Sequence, residues 1–368
     1  VLLAMVGCTE SQQTPKLLSM IADTKAPVVL FSPGDAGSAS YRIPALAKCN
    51  DGTLLAICDQ RINNANDLPE DINLVCRRSS DGGDSWGEII EIVHFDEGGG
   101  YGDPVVMVDR NTGDVVVVCV HGCGLWASTN ENPMRIVMLR SRDNGLTWEA
   151  PADITDMIYG KNAASAEGRR LHSAFAGSGG GVQFADGTLA FVISAGVSKN
   201  VNPMNNYVCL SKDGGFNWEL YQQPAFVNGS DEAKIVELDN GDWLVSTRHR
   251  GNRCMTLKKK GETEWEDSRI IRNMEEPACD GDILKMPGGI ILQSIPNNKE
   301  RRVDVAVFAS QDNGETWQLL DTPWKGHNSA YSAMAQINDN TFGLFTEVEV
   351  DPGKYYTMIF TRHKIIAK

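Results

Sequence analysis

An all-β fold, a single six-bladed β-propeller, is what this sequence predicts, and three observations predict it. The first is a repeat. The pattern Ser-x-Asp-x-Gly-x-Thr/Ser/Asn-Trp occurs four times, as SSDGGDSW from Ser79, SRDNGLTW from Ser141, SKDGGFNW from Ser211 and SQDNGETW from Ser310. These starts lie 62, 70 and 99 residues apart, and the last gap is wide enough for a degenerate copy, for which KKKGETEW ending at Trp265 is the candidate. The second observation is a set of six short apolar runs, each opened by a Gly- or Asn-containing turn: DGTLLAIC, TGDVVVVCV, DGTLAFVIS, NGDWLVSTR, PGGIILQSI and DNTFGLFTEV. Short strands at regular spacing, with no amphipathic helical stretch of comparable strength, indicate a repeated β unit. The third is length, since about 350 residues shared among six units leaves roughly 58 for each, close to the four strands of a propeller blade.

Each box follows an apolar strand, as in INLVCRR, RIVMLR, NYVCL and DVAVFA, which puts it on the turn of a hairpin. There the Asp accepts backbone N–H bonds in an Asx-turn, the Gly supplies a positive φ, and the Trp folds back over apolar surface. The boxes therefore read as structural. They lack the alternating acids and distant Glu of a calcium loop.

Composition narrows the function classes. A formal net charge of −14 argues against nucleic acid or an anionic membrane as a partner, because either needs a basic face. An anionic substrate must then meet a local cluster of positive charge. The six histidines show no HExxH or comparable spacing, so no metal and no cofactor are expected. Of the nine cysteines, most lie in strand-like runs such as LLAIC, NLVC and VVVVC and read as buried free thiols; only Cys119 and Cys123 are close enough to suggest a local bridge.

The propeller is expected over residues 25–368, with 1–24 as a separate segment. Its beginning, VLLAMVGCTESQQT, looks like the end of a bacterial lipoprotein export signal: a short apolar run, a small residue and Cys8. On that reading Cys8 carries lipid and belongs to no disulfide, and the protein is exported to the periplasm, the outer membrane or the medium.

Four boxes together with Tyr41-Arg42-Ile43-Pro44 resemble the signature of the sialidase, or neuraminidase, family, and the resemblance runs from about Tyr41 to the C-terminus. It implies an exo-α-sialidase acting on sialylated glycans of glycoproteins, glycolipids and oligosaccharides, with no obligate protein partner. A sialic acid carries an ionised carboxylate on its anomeric carbon, and guanidinium groups bind a carboxylate with paired hydrogen bonds that Lys cannot reproduce. Three arginines match the family's set: Arg42 of YRIP, Arg248 in LVSTR, and Arg302 in RRVDVAVFAS, with the adjacent Arg301 as the alternative. Glu347 in GLFTEVE resembles the acid that orients the first arginine; otherwise it is an acid exposed on a strand.

Sialidases use a Tyr nucleophile where most retaining glycosidases use a carboxylate. An anionic nucleophile would be repelled by the substrate's carboxylate; a phenol is not, but it needs a base beside it. Tyr331 in SAYSA matches the nucleophile and Glu232 in DEAKIVEL the base. For the acid, Asp59, Asp67 and Asp71 compete. Asp67 has the family's distance to Arg77-Arg78, whereas Asp59 ends a strand and Asp71 begins one. Arg61 is expected to help bind substrate, and Asp103 to line the N-acetyl and O4 side of the sugar. Two other outcomes stay open: a trans-sialidase or anhydro-forming enzyme of the same fold, and a noncatalytic box propeller that binds glycans.

Overall fold

Short apolar runs buried on both faces, as at Leu54–Arg61 and Val115–His121, build the strands, and turns of Gly, Asn and Asp stop them. The computed structural model describes residues 17–22, 25–198 and 201–367, and Cys8 lies outside them. The described strands form six sheets in a ring. Blade one consists of Ser40–Lys48, Leu54–Arg61, Ile72–Ser79 and Ile90–Val93, in that order from the axis outward. Blades two to five begin with Tyr101–Val108, Ser173–Ala176, Ala233–Glu237 and Asp282–Lys285. Blade six begins with Ser329–Asn338, continues through Thr341–Val348 and Thr357–Ala367, and is completed from the other end of the chain by Leu18–Ala22.

That completion moves the boundary expected at residue 25. Leu18–Ala22 pairs antiparallel with the last strand, Leu18 opposite Ala367 and Ala22 opposite His363, so the propeller starts at Leu18. The reason is local alternation: Leu18 and Met20 are buried while Ile21 faces out, and Gln318 of blade five bonds both the N–H and the carbonyl of Leu18. The ring is thus closed by pairing its two ends, Leu18–Ala22 covering the outer edge of the last strand.

All four boxes sit between the third and fourth strands of their blades. In each, the Ser hydroxyl bonds the Asp and accepts the N–H of the second Gly position, as at Ser79, Asp81 and Gly83. The Asp carboxylate then accepts the N–H and side chain of the residue before the Trp. With its oxygens so engaged, the Asp closes its own turn. Each box also receives an arginine from the preceding blade: Arg362 to Gly82 O, Arg78 to Asn144 O, Arg140 to Gly214 O and Arg269 to Gly314 O, at 2.7 to 3.0 Å. The boxes are hence rivets between neighbouring blades as well as turns. In the degenerate copy the Ser position is Lys258, whose ammonium lies 4.2 Å from the Trp243 ring centroid and bonds Glu262 O. The eight cysteines within the described residues are free, Cys119 and Cys123 included.

Glycine is required where a box turn meets the next blade. Gly83 has φ +93°, and a Cβ there would lie 2.2 Å from the Phe360 ring, whereas Gly34, at φ +95°, has open space around it. Gly83→Ala is expected to cost roughly 2–4 kcal/mol, overpacking added to backbone strain, and Gly34→Ala about 1 kcal/mol from strain alone. Urea unfolding of the two variants beside the wild type measures the difference; equal losses would remove the packing argument.

Candidate active site

Strand direction alternates within a blade, so the start of each first strand, the end of each second strand and the loop to the third all lie at one end of the axis. The box turns lie at the other. Arg42, Asp103 and Tyr331 are on the first strands of blades one, two and six, and Glu232 immediately precedes that of blade four. Glu347 and Arg248 are at the ends of second strands, and Asp67 and Arg302 in loops from second to third. Residues up to 305 positions apart are thereby brought together at one cavity of about 290 Å³. A larger opening of about 490 Å³ lies at the opposite end, but its cations are committed locally: Lys48 to Ile337 O, Arg110 to the carbonyls of Gln183 and Phe184, and Lys285 to Asp239.

The first strands reach the axis through bulges. Pairing shifts register between Arg42 and Ala45, between Gly102 and Val105, and between Ser329 and Ser332. Ile43 sits at φ +61° and Asp103 at φ +56°, left-handed conformations that cost a β-branched residue more than most. A bulge re-aims a side chain. Here three of them turn Arg42, Asp103 and Tyr331 into one space.

Glu347 holds two of these bulges. Fully buried, its carboxylate takes Nε and Nη2 of Arg42 at 2.9 and 3.1 Å, the N–H of Ile43 at 2.8 Å and the N–H of Tyr331 at 3.2 Å. The exposed-acid alternative for Glu347 is therefore excluded.

Tyr331 Oη donates a hydrogen bond to Glu232 and accepts one from Arg248 Nη1 at 3.0 Å. Arg248 Nη1 also lies 2.5 Å from Glu232. The guanidinium carbons of Arg42 and Arg302 lie 5.1 and 5.4 Å from the Tyr331 ring centroid, so three guanidiniums surround one phenol. Arg302 has no carboxylate partner among the described residues. Arg301 is exposed and does not line the cavity.

Burial, reinforced by the Glu232 anion, pushes the Tyr331 phenol well above its ordinary value, with Arg248 and Arg302 pulling the other way. Burial would also raise Glu232, but Arg248 and the Tyr331 hydrogen bond outweigh it and hold the carboxyl at about 2. The pair at rest is a neutral phenol against a carboxylate. Asp103 is raised well above the carboxylate range by burial and by the nearby Asp59 and Asp67 anions.

The three candidate acids separate cleanly. Asp59 is buried, bonded to Arg61 through Nε at 3.2 Å and Nη2 at 2.9 Å, and accepts the Asp103 N–H. Asp71 accepts the Asn63 side chain and, through its carbonyl, the Ile62 N–H, bracing the loop. Asp67 alone of the three lines the cavity, its side chain 80% exposed and one oxygen 2.8 Å from Arg61. Arg61 does not contact the cavity as expected. Its side chain is 1% exposed and committed to Asp59, Asp67 and the Ala65 carbonyl, so it positions the Asp67 loop from beneath.

Two residues were not singled out from the sequence. Asp231 lines the cavity beside Glu232, its carboxylate 3.2 Å from Arg248 Nε; the adjacent acid in DEAK was the available signal. Tyr356 stacks under Arg42 at 5.7 Å, and no motif marks it.

Comparison with known proteins points to one family. The BNR repeat-like domain matches residues 52–345. The chain is 31% identical over 351 residues to a sialidase of Bacteroides fragilis (strain YCH46), covering 86% of this chain and 61% of that one, so it spans about three-fifths of that relative's length. It is 30% identical over 298 residues to a sialidase of Clostridium perfringens, covering 76% of this chain and 75% of the relative. Among solved structures, the Hadza microbial sialidase Hz136 superposes with a TM-score of 0.79 at 27% identity, over 92% of this chain and 68% of that one.

Glu347→Gln would leave Arg42 without its counter-charge and set an amide N–H₂ against donors. Breaking a buried pair from one side costs about 3–5 kcal/mol, and a loss of that size is expected in chemical denaturation. A loss under about 1 kcal/mol would mean that the two bulges hold without it.

Proposed function

Because the chain belongs to the sialidase family, we propose that it is an exo-α-sialidase that removes terminal sialic acids from glycoconjugates with retention of configuration, through a covalent bond to Tyr331. The observation that carries this reading is the Tyr331–Glu232 hydrogen bond enclosed by three guanidiniums.

Charge balance supports it. Arg42 is neutralised by Glu347 and Arg248 by Glu232, which leaves Arg302 unmatched. Within this set of three guanidiniums and two carboxylates one positive charge is unmatched, which suits one substrate carboxylate. That carboxylate would take up donors left free by the protein: Nη1 of Arg42, Nη2 of Arg248 and the fork of Arg302.

With the carboxylate so held, Tyr331 Oη attacks the anomeric carbon as its proton passes to Glu232, and the bond to the leaving oxygen breaks as Asp67 protonates that oxygen. Water then attacks the glycosyl-tyrosine with Asp67 as base, and the departing phenolate recovers its proton from Glu232. The elevated phenol value fits this order of events. A neutral hydroxyl at rest does not repel the anionic sugar, and its proton leaves only as the new bond forms. Asp103 faces the ring in this scheme, where a neutral carboxyl can donate to a sugar hydroxyl.

Two variants divide the roles. Asp67→Ala is expected to slow a natural sialoside by about 10²–10⁴-fold and an aryl sialoside with a good leaving group by less than about tenfold. Equal losses on both substrates would assign Asp67 to binding. A 3-fluoro sialyl fluoride should label the peptide containing Tyr331, read by mass spectrometry, and should not label it in Tyr331→Phe. Labelling of Glu232 or Asp67, or β-sialic acid as the first product from an α-sialoside, would overturn the tyrosine route.

A further inference from the structure

Asp231 is a cavity carboxylate that the reaction scheme above does not use. Three buried side chains anchor its backbone carbonyl: Ser194 Oγ at 2.6 Å, Asn206 Nδ2 at 2.7 Å and Thr247 Oγ1 at 3.4 Å. Its own side chain accepts the Glu232 N–H at 2.9 Å through Oδ1 and lies 3.2 Å from Arg248 Nε through Oδ2. The backbone at Asp231 is thus fixed, while its side chain is held by the Glu232 N–H and the charge of Arg248. Arg248 thus has Nη1 given to Glu232 and Tyr331 and Nε facing Asp231, so Nη2 remains for a ligand.

We propose that Asp231 is an internal carboxylate whose charge weakens the hold of Arg248 on the substrate's carboxylate. The inference rests on the sialoside reading above. Its physical core is the charge count: three guanidiniums against Glu347 and Glu232 leave one positive charge, and an ionised Asp231 cancels it. Protonated, Asp231 leaves that charge to the ligand.

Burial, and next the Glu232 anion, push the Asp231 carboxyl up to about 8 against the pull of Arg248. The charged and titratable groups sharing the cavity are Glu232 and Arg248 of blade four, Arg42 and Asp67 of blade one, Asp103 of blade two, Arg302 of blade five and Tyr331 of blade six. The arginines stay charged and the phenol is raised, which leaves Asp103 as the other group able to ionise on the alkaline side. The sign follows: the neutral form binds an anion better, so affinity is full below the Asp231 value and is lost as pH rises through it. At pH 9, above that value, the neutral form is the minor one, and binding is expected to weaken by roughly tenfold relative to pH 6.

The test is calorimetric binding of 2-deoxy-2,3-didehydro-N-acetylneuraminic acid at pH 6 and pH 9. The dissociation constant of the wild type should rise about tenfold between the two, that of Asp231→Asn by less than about twofold, and that of Asp103→Asn by as much as the wild type's. Asp231→Ser serves in the same way should the Asn variant melt early. An equal alkaline rise in wild type and both Asp231 variants, or its disappearance in Asp103→Asn, would overturn the proposal. Absence of binding at either pH by folded wild type would instead sink the sialoside reading and this inference with it.

Discussion

The arrangement depends on one buried carboxylate. Glu347 is enclosed at the seam between blade six and blade one, and an isolated anion there would cost several kcal/mol unless its lone pairs were met. They are met by two N–H groups of Arg42 and by the backbone N–H groups of Ile43 and Tyr331. Those backbone donors are free only because their strands bulge and leave the ladder. Anion, bulges and arginine therefore form one unit: each makes the others affordable in a place where none would stand alone. The strained φ of Ile43 is best understood as part of that unit.

The same economy of charge runs through the chemistry. Two of the cavity's carboxylates are assigned opposite states by their surroundings, Glu232 ionised beside Arg248 and Asp103 pushed toward neutrality by desolvation and next by Asp59 and Asp67. A tyrosine stands where a third anion would raise the cost further. Arg302 has no carboxylate partner among the described residues, and an anionic ligand would supply one. In this respect anion binding and the neutrality of the Tyr331 phenol are a single electrostatic problem.

Much of this was legible in the sequence, for identifiable reasons. Box turns repeat an eight-residue pattern whose Ser, Asp and Gly each make a local bond, and local bonds leave local signatures. Arg42 lies inside a motif, and Glu232, Arg248, Tyr331 and Glu347 were legible through the resemblance to the sialidase family. What could not be read was direction. Arg61 ends a strand next to the Asp67 loop, yet its guanidinium turns inward to Asp59, because strand pleat and bulges decide the face and neither shows in composition. The strand Leu18–Ala22 escaped notice because five residues closing a ring pair with the far end of the chain, and no nearby turn announces them. The arginine rivets were invisible for the same reason, since each joins a box to a strand of another blade.

Long-range ties also explain how a site assembled from six blades stays in register. Below Glu232, the ammonium of Lys234 is buried between the Asp280 carboxylate, at 2.6 and 2.8 Å, and the Gly177 carbonyl, at 2.6 Å. Ser178 bonds the same Asp280, and Asp282 accepts the Met334 N–H at 2.6 Å, so blades three, four, five and six are linked across the axis by polar contacts. An apolar axis would tolerate sliding of one blade against the next; directional, buried hydrogen bonds do not, because any slip leaves a charged group unpaired. The rivets fix the far end of the ring, this chain fixes its middle, and Glu347 fixes the seam. The donors of Arg42 and Arg248 are consequently held by the fold itself.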